Sequence, residues 1–190
     1  MPIPPPQDGR HKRSETSRRA IVAAMLALVR EGNVSPSAEE VAARGKVGLR
    51  TVFRLFENME SLYREMNALI AAEILPLAEA PFTSRTWRGV LDEIVLRRAD
   101  IFERILPIKI AADANRRGSA FLDERARALN TLQRQTLLAH LPKSLRDGIR
   151  LEALDLVLSF DTWRRLRRDQ DLVPEHARTV VAEMVARIVD

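Results

Sequence analysis

The 190-residue chain is 46% hydrophobic and 30% charged, a globular balance, and no apolar run approaches the roughly 18 residues that a membrane-spanning helix requires. Cysteine is absent, which excludes a disulfide framework, a thiolate zinc site and a cysteine nucleophile. The net charge of +5 is uneven: residues 1–60 hold ten cations against seven anions, a mild lean toward a polyanionic partner.

The opening MPIPPPQDGRHKR is Pro-rich and polar. Residues 1–13 are read as a disordered basic arm in which Arg10, His11, Lys12 and Arg13 can reach phosphates. Without an apolar centre it is not a secretory signal, so a cytoplasmic location is expected. From there the pattern is helical throughout, with no sustained apolar–polar alternation to support a strand. A helix over 16–31 places Ile21, Met25, Leu28 and Val29 on one face and stops at Gly32. Arg18, near its start, is placed for phosphate contact.

A second, short helix begins at SPSAEE, where Ser37 and Glu40 have the spacing of a capping box, and ends near Gly45. A third runs from Leu49 to about Phe56 after the link GKVG. Two short helices joined by a tight turn make a helix-turn-helix, whose second helix enters the DNA major groove. Val41, Ala42, Val47, Val52 and Phe56 can close a small core against the first helix. Arg50, Thr51 and Arg54 then face outward, and arginine can donate two parallel bonds to guanine or phosphate.

A longer helix is expected over 59–79, bent at Pro76, followed by helices over 86–105 and 108–115 separated by Pro107. Three more cover 121–141, 144–168 and 174–190. In the first of the last two, Leu145, Ile149, Leu156 and Trp163 recur close to every seventh residue, and Leu151, Leu154 and Leu158 form a second line. The last helix aligns Ala177, Val181, Met184, Val185 and Ile188. These faces suit either the core of a large domain or a surface covered by another chain. The three histidines have no metal-site spacing, no glycine-rich phosphate loop is present, and no catalytic set or cofactor is read.

The stretch SAEEVAARGKVGLRTVFRLFENMESL resembles the helix-turn-helix of the tetracycline-repressor (TetR) family of bacterial transcription regulators. Ser37, Glu40, Val41, Ala42, Val47, Thr51, Val52, Phe53, Phe56, Glu60 and Leu62 match that motif. The chain departs from it at Gly48, where a small hydroxyl residue usually caps the third helix, at Phe53 for a tyrosine, and at Met59 for a lysine. Arg50 and Arg54 are added cations.

The resemblance implies an all-α protein of about nine helices. Its parts would be a DNA-binding domain over 14–60 and a helical effector-binding and dimerisation domain over 61–190. DNA contacts are expected from Arg18, Ser37, Arg50, Thr51, Phe53 and Arg54. An effector pocket is expected among Leu69, Phe102, Leu106, Leu129 and Phe160, with no acid or cation cluster on an inward face. A homodimer interface would use Ile149, Leu156, Trp163, Val181, Met184 and Ile188. The implied function is a ligand-responsive regulator, a repressor, with double-stranded DNA and an unidentified small molecule as partners. The rival is a helical scaffold whose helix-turn-helix no longer binds DNA.

Overall fold

The computed structural model describes residues 8–190. The expected arm therefore lies partly outside the described residues; those from Asp8 onward already belong to the first helix. The fold is all-helical. Among the described residues there are nine α-helices and no strand: α1 Asp8–Arg30, α2 Ala38–Arg44, α3 Leu49–Leu55, α4 Met59–Ala78, α5 Trp87–Asn115, α6 Ala120–His140, α7 Gly148–Val157, α8 Phe160–Arg164 and α9 Pro174–Val189. None is long and apolar enough to cross a membrane. The chain divides into two compact units. One comprises the residues up to Ala72 with Pro107–Asp123, and the other comprises Glu73–Leu106 with Glu124–Asp190.

In the first unit α1, α2 and α3 pack on one another. Their core is Ile21, Met25, Val29, Val41, Val52 and Phe56, joined by Leu62 of α4, all essentially inaccessible to water. Burying side chains of this size contributes about 1.5–3 kcal/mol each, and this offsets the poor intrinsic stability of seven-residue helices. α1 ends at Gly32, whose φ of +98° turns the chain. There the Gly32 amide donates to the Val29 carbonyl and the Asn33 amide to that of Leu28, satisfying carbonyls the helix leaves open. Arg44 of α2 then clasps Glu31 with two hydrogen bonds of 2.6 Å.

The second unit is organised around α7 packed on α9, with Leu137, Leu154 and Ala177 fully enclosed. Two polar clasps fix it. Glu103 accepts from Trp163 Nε1 at 3.1 Å and from both Nε and Nη2 of Arg167 at 2.8 Å. Arg134 spans Glu152 and Asp155.

Two expected boundaries are corrected. Helix α5 runs unbroken through Pro107, where a break was expected. A proline inside a helix costs about 3 kcal/mol, but Leu106 and Ile108 on either side of it are both buried, and that burial keeps the helix continuous. Conversely, the single helix expected over 144–168 is divided. α7 stops at Val157, Ser159 adopts extended backbone, and its hydroxyl accepts from the Thr162 amide at 3.2 Å to start α8. A π-helical turn, Arg165–Asp169, follows.

Candidate nucleic-acid interface

The α2–α3 segment is built from local chemistry. The Ser37 hydroxyl accepts from the Glu40 amide at 3.2 Å, and the Glu40 carboxylate accepts from the Ser37 amide at 2.7 Å. This reciprocal box fixes where α2 starts and holds the Glu40 carboxyl below its usual range, with the Ser37 backbone bond as the largest cause. At the other end, Lys46 takes φ +52°, its amide donating to the Ala43 carbonyl while the Val47 amide donates to that of Ala42. The left-handed position of this turn is thus held by a lysine. The neighbouring Gly45 serves close approach instead: a Cβ there would stand 3.1 Å from the Val41 carbonyl oxygen and 3.3 Å from that of Ala20. Helix α3 begins at Gly48 without a side-chain cap.

Around α3 the two faces separate cleanly. Val52 and Phe56 are buried, Thr51 and Leu55 half-buried, and Leu49, Arg50, Phe53 and Arg54 exposed. The guanidinium groups of Arg50 and Arg54 and the ammonium of Lys46 form no ion pair among the described residues. Arg18 has a different setting. It pairs with Glu65, donates to the Leu55 carbonyl at 2.9 Å and lies over the Phe56 ring. Ser37 is exposed, but its backbone amide and hydroxyl are both engaged in the capping box. His11, Lys12 and Arg13 are exposed on the opening turns of α1.

The second unit contains a cavity of about 660 Å³ bounded by segments of α4, α5 and α6, a volume within the roughly 300–1,000 Å³ of small-molecule sites. Phe102 and Leu129 line it. Phe160 stands behind Phe102, edge to face at 5.6 Å between ring centroids, and Leu106 is buried away from the cavity. Leu69 belongs to the first unit and is half exposed. An inward cation that the sequence reading did not single out is Arg98, which is 8% exposed and lines the cavity. It donates to the carbonyls of Leu158 at 2.9 Å and Gln133 at 2.5 Å. Burial lowers its pKa to about 10. The missed signal was the four-residue spacing of Ile94, Arg98 and Phe102, which places an arginine on the buried stripe of α5.

The six expected interface positions fall into two groups. Ile149 is 88% exposed, Leu156 66% and Met184 41%, while Ile188 is half-buried. Trp163 and Val181 are part of the core of their own unit. The division at Ser159 explains the first difference, since the seven-residue line does not continue along one helix.

Compared with family models, curated proteins and solved structures, the chain matches none.

Proposed function

We propose that the chain is a ligand-responsive, DNA-binding transcription regulator similar to TetR-type repressors, reading a palindromic operator as a homodimer. The observation that carries this reading is the α2–turn–α3 unit. Its inner face is closed by Val41, Ala42, Val52 and Phe56, and its outer face presents Arg50 and Arg54 without an acidic partner among the described residues. A surface arginine left unpaired on a short second helix is available to base edges and phosphates. Arg18 acts by holding the end of α3. The exposed apolar groups Ile149 and Leu156 of α7 and Met184 of α9 support a second copy as partner, as an operator of two symmetric half-sites requires. A ligand would act by favouring one spacing of the two recognition helices over another, since only differential affinity moves such an equilibrium.

One observation favours the scaffold reading: Phe53 is 56% and Leu49 37% exposed beside the arginines, as on a surface that docks protein. Selection of bound fragments from sheared genomic DNA decides between the two. The regulator enriches fragments that share a palindrome, and an Arg50→Ala/Arg54→Ala double variant loses them. If no fragment is enriched, the DNA-binding reading falls.

A further inference from the structure

The cavity of the second unit joins apolar walls to a buried cation that lacks an acidic partner. Arg98 is fixed by two backbone carbonyls, and no carboxylate lies within ion-pair distance of it among the described residues. Asp155, whose field reaches it, is itself bonded to Arg134 at 3.1 Å. Arg97, the next residue, also lines the cavity. Its guanidinium lies 4.0 Å from the Phe82 ring centroid and is held by the carbonyls of Ala78 and Pro81. Against these two arginines the lining offers one carboxylate, the exposed Glu79.

Carbonyl dipoles position a guanidinium but leave its full charge in place. A cation held out of water is stabilised far more by an anion than by neutral acceptors. Apolar walls of Ile94, Ile101, Phe102 and Leu129 would bury a hydrocarbon body at about 25 cal/mol per Å². We infer that this cavity binds an amphipathic monocarboxylate, its apolar body against these walls and its carboxylate directed to Arg98. The inference deepens the regulator reading, on which it rests only for the effect on DNA; binding itself stands on the cavity.

The test is calorimetric titration of the full chain with decanoate, decanol and decylammonium, three probes of matched body and different charge. Decanoate is expected to bind at least tenfold more tightly than decanol, and decylammonium most weakly. Ala139 is exposed and lines the cavity, so Ala139→Trp should narrow it without disturbing the core and should weaken decanoate binding at least tenfold. Arg98→Gln, if folded by circular dichroism, should bring decanoate and decanol to near-equal affinity. If that variant does not fold, the charge preference and Ala139→Trp decide alone. Decanol binding as tightly as decanoate, unchanged binding to Ala139→Trp, a folded Arg98→Gln that keeps its preference, or no binding of any probe would each overturn the assignment. Operator affinity measured with and without decanoate separates the two readings. A probe that binds and leaves DNA affinity unchanged removes ligand response from the proposed function and leaves the site standing.

Discussion

The guanidinium of Arg18 lies 4.6 Å from the centroid of the Phe56 ring and donates to the carbonyl of the preceding residue, Leu55. A cation on α1 thereby closes the C-terminal end of α3, where the helix carbonyls are otherwise open and the helix dipole is negative. Arg18→Met should cost about 1–3 kcal/mol, from the bond to the Leu55 carbonyl, the part-exposed ion pair with Glu65 and the cation–π contact with Phe56. Because α3 would lose its fastening, DNA affinity should fall along with stability. Urea denaturation and binding titrations on one variant check both.

Arg50 and Arg54 should behave in the opposite way. Neither touches the core, so Arg→Ala at either should leave stability within about 0.5 kcal/mol of the parent. Arg50, near the start of α3, is expected to meet a base edge, and its loss should cost about 1–3 kcal/mol and relax one operator position. Arg54, a turn later, is expected to meet phosphate, and its loss should weaken all sequences alike and reduce the salt slope by about one. Titrations over a salt series on the operator and its single-base variants separate the two roles.

The interface positions make a graded prediction. Leu156 is largely exposed, so Leu156→Glu should leave the chain folded. Sedimentation equilibrium should then give 21.5 kDa, where the parent is expected to give twice that mass. Val181 is 6% exposed within its own unit, and Val181→Glu should unfold the protein instead, because an unpaired buried carboxylate costs several kcal/mol. A parent chain that sediments as a single 21.5 kDa species at micromolar concentration would remove the dimer.

Glu93 predicts an acid-side effect. Its carboxylate is held down to about 2 from 4.5, chiefly by the Ser84 side chain and the Thr83 amide, with the Ser84 amide at 2.7 Å adding to it. A depressed native pKa means that the stabilisation is complete above about 4.5 and is lost as pH falls toward 2. Glu93→Gln should therefore lower thermal stability at neutral pH and flatten its fall between pH 4.5 and 2. Melting curves across that range, compared with the parent, measure the difference.

Much of this was legible where a residue's role is set within a few neighbours. Ser37 and Glu40 announce their box by spacing, Gly32 announces the end of α1, and Val52 and Phe56 announce the buried side of α3. Longer-range competition was not legible. Pro107 reads as a breaker until the burial of Leu106 and Ile108 is known. Ser159 reads as one polar residue in an apolar helix until its hydroxyl is seen capping α8. The two misreadings cancel in the helix count, which is why the total was right while the boundaries were not. The spacing of Ile94, Arg98 and Phe102 marks Arg98 as inward, but the carbonyls of Leu158 and Gln133 that hold it are backbone atoms and leave no mark in the sequence.

The turn between α2 and α3 places opposite demands on adjacent positions, and a saturation library would display them. At Gly45 every other side chain brings a Cβ to 3.1 Å from the Val41 carbonyl oxygen in the last turn of α2 and to 3.3 Å from that of Ala20 on α1, tighter than ordinary packing, so α1 and α2 must give by a few tenths of an ångström. At Lys46 the backbone sits at φ +52°, where most L side chains are strained by roughly 1–2 kcal/mol, glycine is at ease and asparagine is tolerated. Position 45 should therefore enrich for the residue it already has, and position 46 for residues it does not. In such a library the two columns would record one turn twice, once as a limit on bulk and once as a limit on handedness.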